Sequence, residues 1–235
     1  YCKIRKSLIA DPLTNEKYYT PNNQFSVYKE TRDYMYVPQH YGLTNFGKPK
    51  KQTKTYKGLT IPDARAHFTG KLKDIQQVPY DAIIRAVDEK GGGIVCLETG
   101  YGKTFISIKV ITHVKKTTLV VVNKISLLEQ WKSELKAFAP DLRVGQIQGS
   151  NLDIQDKDVI IGMLQSLTKC DYPDALFNDF GMVIFDEAHN VPSRKFSEVL
   201  FKTSCPVMIG LSATPKRADG LEKVLEWHIG ELIPI

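Results

Sequence analysis

Short apolar runs alternate with amphipathic segments from about residue 70 onward. Runs of four or five apolar residues predict buried strands, and apolar residues at helical spacing predict helices between them. Six runs fit strands: residues 94–97, 118–122, 144–147, 158–161, 182–185 and 207–211. Apolar strands separated by helices indicate an α/β fold, with a parallel sheet covered by helices on both faces. Such sheets bind ligands at the carboxyl ends of their strands.

Three helices can be placed between these strands. The first carries apolar residues over 75–87, Pro79 predicts that its regular part starts near that residue, and glycines 91–93 end it. The second spans 103–113. The third is predicted to open with a capping box from Ser126 to Glu129 and to end before Pro140. Its apolar face, expected to pack in the core, consists of Leu128, Trp131, Leu135 and Phe138.

The first 60 residues differ from the rest in pattern and charge. Short extended pieces at 18–19, 25–28 and 34–37, separated by prolines and Gly42, predict a small β-rich unit, and residues 47–57 form a lysine-rich connector. This stretch has 11 basic and 4 acidic residues, a net charge of +7, whereas residues 61–235 have a net charge of −1. It also holds 8 of the 11 tyrosines. We therefore predict an accessory domain over 1–60 and a second unit over 61–235.

Two interpretations of that basic, aromatic segment stay open. Tyrosines beside lysines suit nucleic acid, whereas the same composition fits a small module whose tyrosines pack internally and whose lysines are merely solvated. The overall composition narrows the class of protein. With 42% hydrophobic and 25% charged residues the chain is not a disordered one, and no apolar run is close to the length of a membrane span. Four scattered cysteines indicate neither a zinc knuckle nor a disulfide framework, so we expect an intracellular, reducing compartment.

A phosphate-binding loop is predicted directly after the strand at 94–97. Its glycines would let backbone N–H groups surround a phosphate, Lys103 would reach the β- and γ-phosphates, and Thr104 could bind Mg²⁺. The strict pattern has a glycine where this chain has Leu97. The loop comprises Thr99, Gly100, Tyr101, Gly102, Lys103 and Thr104.

Two carboxylates follow the strand at 182–185. Asp186 could hold Mg²⁺ through water while Glu187 polarises an attacking water, as phosphoryl transfer to water requires. Alone, an Asp-Glu pair after a strand would fit a helix cap as well. Because a phosphate loop precedes it in the chain, we interpret the pair as catalytic.

Three ordered motifs resemble those of superfamily 2 helicases of the DEAH-box kind. They are residues 100–104, Asp186-Glu187-Ala188-His189 and Ser212-Ala213-Thr214. Residues 210–220 resemble more narrowly the XPB-like branch, which includes a transcription and repair helicase, phage UvsW and helicases of large DNA viruses. The resemblance covers about residues 70–235 and implies a RecA-like motor domain that uses ATP and Mg²⁺.

The same resemblance implies roles for further residues. Gln76 would read adenine, although Lys73 stands where the family usually has arginine, and His189 would link the γ-phosphate side to Ser212 and Thr214. Loops at the strands' carboxyl ends would hold one nucleic-acid strand by its sugar-phosphate backbone. These loops contain Asn123, Lys124, Gly149, Gln165 and Ser166.

By this resemblance the chain is expected to belong to an ATP-dependent helicase or translocase that moves 3′ to 5′, on DNA more than on RNA. Such motors need a second RecA-like domain with arginine fingers, for which too few residues follow Gly220, so weak activity is expected of this chain alone. Transcription or repair proteins are possible partners, and no membrane is expected. Two alternatives stay open: a duplex DNA translocase that does not separate strands, and a nucleic-acid binding module with a vestigial nucleotide site.

Overall fold

The computed structural model describes residues 2–12, 24–50, 58–191, 193, 197–214 and 220–235. Its strands are β1 (Ile9–Ala10), β2 (Phe25–Ser26), β3 (Lys29–Glu30), β4 (Met35–Tyr36), β5 (Gly92–Cys96), β6 (Thr118–Val122), β7 (Val144–Gln148), β8 (Asn151–Asp153), β9 (Val159–Met163), β10 (Met182–Phe185) and β11 (Val207–Ser212). Its α-helices are α1 (Cys2–Ser7), α2 (Gln39–Phe46), α3 (Asp74–Lys90), α4 (Lys103–Val114), α5 (Ile125–Phe138), α6 (Leu164–Lys169), α7 (Ser197–Lys202) and α8 (Glu222–His228). Short 3₁₀ turns cover Asp174–Phe177 and Ala188–Asn190.

Seven strands form one sheet in the order β5-β11-β10-β6-β9-β7-β8. All neighbours are parallel except β7 and β8. The six predicted strands are therefore confirmed within one or two residues at their ends. The edge strand β8 was not predicted, since its three residues are exposed and show no apolar pattern.

Alternate residues of the central strands enter two separate cores. Val183 and Phe185 of β10 join the core on one face of the sheet, and Met182 and Ile184 join the core on the other. This is the period-two geometry of a strand buried on both sides. Helices α6, α7 and α8 contribute to the core on the first face, and helices α3, α4 and α5 contribute to the core on the second. The predicted α/β fold with helices on both faces is therefore confirmed.

Two predicted helix starts are wrong. Helix α3 begins at Asp74 and contains Pro79 as a buried residue, because the carbonyl group that Pro79 leaves without a helical donor finds a partner outside the helix. Helix α5 begins at Ile125 with Lys124 at its N-cap. Ser126 therefore lies within the first turn, and no side chain of the described residues caps this helix. The predicted core face of α5 is confirmed, with Phe138 only half-buried.

The N-terminal segment contains less β-structure than its pattern predicts. Its described strands are two antiparallel pairs of two residues each, β1 with β2 and β3 with β4. Pro38, predicted to interrupt strands, is instead the N-cap of helix α2, and Gly42 lies inside that helix. Residues 18–19 and most of the lysine-rich connector lie outside the described residues.

Helix α2 packs against the body of the protein. The Gln39 amide donates to the carbonyl oxygen of Cys205 at 3.2 Å and accepts from the Ser204 hydroxyl at 2.8 Å. The Tyr41 ring meets the Trp227 ring of α8 edge-on, with 6.4 Å between centroids. Phe25 of β2 is also buried, in the same core as residues of the sheet. The boundary at residue 60 stays a prediction, and the described N-terminal residues share a core with the sheet.

Candidate functional site

Apart from Gln76 in α3, the predicted site residues lie at or just after the carboxyl ends of the six parallel strands. In spatial order across the sheet, β5 leads to the phosphate loop, β11 ends at Ser212, and β10 leads to Asp186. The neighbouring strands then place Asn123 after β6, Gln165 after β9 and Gly149 after β7. The topology therefore puts the predicted nucleotide residues on one half of this edge and the predicted nucleic-acid residues on the other.

The phosphate loop has the backbone that its glycines permit. Gly100 and Gly102 have φ angles of 84° and 91°, which favour glycine, and α4 begins directly after them. A Cβ atom on Gly102 would lie 2.5 Å from the Gln76 amide nitrogen. The Lys103 ammonium donates to the carbonyl oxygen of Leu97 at 3.0 Å. The lysine, the two glycines and the helix start therefore lie together in one short loop.

Gln76 joins helix α3 to that loop. Its side-chain oxygen accepts from the Lys73 backbone N–H at 3.0 Å, and its amide nitrogen donates to the Tyr101 carbonyl oxygen at 3.0 Å. The Tyr101 hydroxyl donates in turn to the Ile75 carbonyl oxygen at 2.6 Å. The structure therefore brings Gln76 and the loop together.

Asp186 is buried, and each of its carboxylate oxygens accepts one hydrogen bond. The indole N–H of Trp131 donates to Oδ2 at 2.8 Å, and the backbone N–H of Glu187 donates to Oδ1 at 2.9 Å. Burial raises the pKa of Asp186, the Trp131 hydrogen bond opposes that rise, and the Glu187 charge adds to it. The sequence predicted only packing for Trp131. A buried indole needs an acceptor for its N–H, and that need was the available signal.

Glu187 has left-handed backbone angles, φ 50° and ψ 50°, which few non-glycine residues adopt. Its carboxylate lies 3.2 Å from Nδ1 of His189. The same nitrogen lies 3.3 Å from the Ser212 hydroxyl, which donates to the Thr214 carbonyl oxygen at 2.7 Å. The structure thus places Glu187, His189, Ser212 and Thr214 in one continuous polar chain. Residues 215–219 of the third motif's extension lie outside the described residues.

The predicted nucleic-acid residues are also connected. The Gln165 amide donates to the Asn123 carbonyl oxygen at 2.8 Å, and the Ser166 hydroxyl accepts from the Gly149 N–H at 2.9 Å. Lys124 is exposed beside them, at the start of α5. Three loops from three strands therefore form one surface.

Tyr172 is buried beneath this surface and was not predicted. Its hydroxyl donates to the Gly149 carbonyl oxygen at 2.6 Å, and burial raises its pKa to about 12. No sequence motif marks Tyr172, because it contacts the loop through the fold rather than through neighbouring residues.

The donor set at the nucleotide half suits magnesium. The Thr104 hydroxyl and the Asp186 carboxylate supply hard oxygen ligands, which Mg²⁺ prefers. No group of three or more His, Cys, Asp or Glu side chains that could hold a metal is found among the described residues. Magnesium usually binds through one or two such side chains plus substrate phosphates, so the residues present fit it.

These features define a RecA-like nucleotide-binding domain of the superfamily 2 helicase class. The family described as "Type III restriction enzyme, res subunit" matches residues 69–217. The chain belongs to this family.

Two relatives and one solved structure are similar to this chain. A protein of Acanthamoeba polyphaga mimivirus with the provisional name ATP-dependent RNA helicase L396 is 33% identical to this chain over 234 residues. The match covers 98% of this chain and 44% of the relative's length. DNA 3'-5' translocase XPB2 of Sulfurisphaera tokodaii is 32% identical over 77% of this chain and 45% of its own. The UvsW helicase of bacteriophage T4 has a similar fold, with TM-score 0.63 and 16% identity over 98% of this chain and 91% of that one. The chain thus spans less than half the length of both relatives.

Proposed function

We propose that this chain is the first motor domain of an ATP-dependent nucleic-acid helicase or translocase. One observation carries the proposal: the phosphate loop, Asp186-Glu187 and Ser212 follow three adjacent strands, β5, β10 and β11, at one edge of the sheet. Nucleotide binding and a response to nucleotide state can therefore share one site.

Lys103, Thr104 and Asp186 would hold ATP and Mg²⁺. Bound Mg²⁺ would neutralise charge on the phosphates. The backbone N–H groups of the loop and the start of α4 favour the phosphate anions, and the Lys103 ammonium exchanges its contact with the Leu97 carbonyl for a phosphate oxygen. Gln76 contacts the adenine side.

Glu187 would orient and deprotonate the attacking water. Nδ1 of His189 lies next to both the Glu187 carboxylate and the Ser212 hydroxyl, so loss of the γ-phosphate would alter a chain that reaches Thr214. An unusual backbone conformation at a catalytic position is a known way to fix such a side chain.

The nucleic-acid strand would lie along Asn123, Lys124, Gly149, Gln165 and Ser166. We propose DNA as the substrate and 3′ to 5′ as the direction, because the relative XPB2 is named as a DNA 3'-5' translocase. The mimivirus relative is named as an RNA helicase, so single-stranded RNA is the competitor to include in binding assays.

Full activity would require the second RecA-like domain of a longer protein. The chain spans 44% of one relative and 45% of the other, which leaves room for such a domain in their remaining halves. That domain would supply arginine fingers to the transferred phosphate. We therefore propose weak hydrolysis by residues 1–235 alone; robust DNA-stimulated turnover by them would contradict this.

The proposal extends to the cellular compartment and to protein partners. All four cysteines are free thiols, as a reducing intracellular compartment would keep them. Separately, none of the described helices is long and apolar enough to cross a membrane. Transcription or repair proteins would be the protein partners, by the resemblance to the XPB-like branch.

The test uses the full-length protein that contains this chain. Glu187→Gln should bind ATP normally and lose at least about 100-fold in nucleic-acid-stimulated hydrolysis, whereas Lys103→Ala should lose binding as well. Glu98→Gln, beside the loop, serves as the control for a charge change. Unchanged hydrolysis in Glu187→Gln would support a vestigial site.

A second assay separates unwinding from duplex translocation. XPB2 is named as a translocase, which favours testing movement without strand separation. Strand displacement and triplex displacement should be measured on the same preparation. Triplex displacement without strand displacement would identify a duplex translocase.

A further inference from the structure

Trp131 and Asp186 are joined across the core by the indole N–H and one carboxylate oxygen. We propose that Trp131 is a positioning residue, which fixes the Mg²⁺-binding carboxylate of Asp186 through that N–H. This inference rests on the proposed function, because it takes Asp186 as the metal-binding carboxylate of ATP hydrolysis.

The geometry holds the carboxylate from two sides. Trp131 Nε1 lies 2.8 Å from Oδ2, and the Glu187 nitrogen lies 2.9 Å from Oδ1. A carboxylate oxygen can accept two hydrogen bonds or ligands. Each oxygen therefore keeps one position for a cation or a water molecule while its direction is fixed.

Trp131 itself has little freedom to move. Its side chain is fully buried, between Leu128 and Leu135 on the face of α5 that packs against the sheet. The indole can therefore act as a rigid donor. An ionised carboxylate that is buried without donors would be costly, so the N–H also makes the charged form of Asp186 tolerable in this place.

A purely structural role for Trp131 predicts a different outcome from a positioning role. Trp131→Phe keeps an aromatic ring in the core and removes only the N–H donor and part of the volume. Trp227, the other tryptophan of the chain, lies in α8 against Tyr41 and supplies the matched control Trp227→Phe. If the phenylalanine variant fails to fold, 3-benzothienylalanine at position 131 replaces the N–H with sulfur in the same shape.

The first experiment observes the hydrogen bond itself. The two indole N–H resonances of the ¹⁵N-labelled chain are assigned with Trp131→Phe and Trp227→Phe. Asp186→Asn should move the Trp131 resonance and leave that of Trp227 in place, and Mg²⁺ with ADP should do the same. If the chemical shift of the Trp131 indole N–H changes neither in Asp186→Asn nor on addition of Mg²⁺ with ADP, the proposal is overturned.

The second experiment measures catalysis by the full-length protein. Trp131→Phe should lower kcat about tenfold and raise the Mg²⁺ concentration needed for half-maximal rate, the effect typical of losing a partner that orients a metal ligand. KM for ATP at saturating Mg²⁺ should change less than about twofold, since the lost contact does not touch the nucleotide. Trp227→Phe should leave all three values unchanged.

The failures of the two proposals are distinguishable. If the unaltered full-length protein does not hydrolyse ATP, the proposed function fails, and the indole resonances still decide whether Asp186 and added Mg²⁺ act on Trp131. If the protein hydrolyses ATP and Trp131→Phe alters only thermal stability, the positioning role is wrong and Trp131 is a packing residue.

Discussion

The hydroxyl of Tyr101 donates a 2.6 Å hydrogen bond to the carbonyl oxygen of Ile75. Ile75 lies four residues before Pro79, which has no N–H, so its carbonyl lacks a donor from helix α3. A proline inside the helix thereby creates the acceptor that holds the phosphate loop. The loop and α3 are joined a second time through Gln76 and the Tyr101 carbonyl oxygen.

Tyr101→Phe should weaken nucleotide binding. The substitution removes one hydrogen bond of about 0.5–1.5 kcal/mol, so the dissociation constant for ADP should rise by about 2- to 10-fold. Titration of the purified chain with a fluorescent nucleotide measures it. Tyr36→Phe, on exposed strand β4, is the control. An unchanged constant would show that the tie to Ile75 does not order the loop.

His189→Ala and Ser212→Ala should have similar effects that do not add. Both interrupt the polar chain from Glu187 to Thr214, so either should reduce nucleic-acid stimulation of ATP hydrolysis while ATP binding is kept. A double-mutant cycle on the full-length protein measures the coupling. Additive losses would mean that the two side chains act independently.

The sheet and the position of the phosphate loop after β5 could be predicted because both depend on local patterns. The apolar runs at β6 and β10 have the same boundaries as the observed strands, because a strand buried on both faces is apolar along its whole length. The spacing of the glycines before Lys103 is typical of phosphate-binding loops and uncommon in other strand-to-helix turns. Asp186 could be placed beside it because carboxyl ends of parallel strands share one edge of a sheet.

The contacts that cross the fold could not be predicted. Trp131 and Asp186 are 55 positions apart, and the spacing of α5 explains Trp131 fully as a core residue. Tyr172 and Gly149 meet in the same way. At the N-terminus, the short polar segments are compatible with either hairpins or helices. Gly42 suggested a turn, but the residue lies inside α2, which is stabilised by packing against α8.

Stability should fall in acid because of His228. Burial lowers the pKa of this histidine to about 3, whereas an unfolded chain has a value near 6.5. Between these two pH values the unfolded chain binds more protons, so the free energy of unfolding decreases as pH falls. The loss at pH 5 relative to pH 7 should be about 2 kcal/mol, measured by urea denaturation.

His228→Leu should flatten that dependence by removing the titrating group. Phe201, whose ring lies 4.5 Å from that of His228, provides the control. Phe201→Leu removes packing without removing a titrating group, so stability should drop by a similar amount at both pH values. A slope that survives in His228→Leu would assign acid sensitivity to other residues.

The lysines after α2 should contribute to nucleic-acid binding through charge. Lys48 and Lys50 are exposed near Phe46, a residue that is itself 59% exposed. If both contact phosphates, Lys48→Gln with Lys50→Gln should make the slope of log K against log salt shallower by about 1.4–1.8. The control pair, Lys90→Gln with Lys157→Gln, lies at the amino edge of the sheet, away from the predicted binding loops, and should leave the slope unchanged. Equal slopes in both variants would assign this segment to folding or to a protein partner, because electrostatic contact with phosphate cannot be independent of salt.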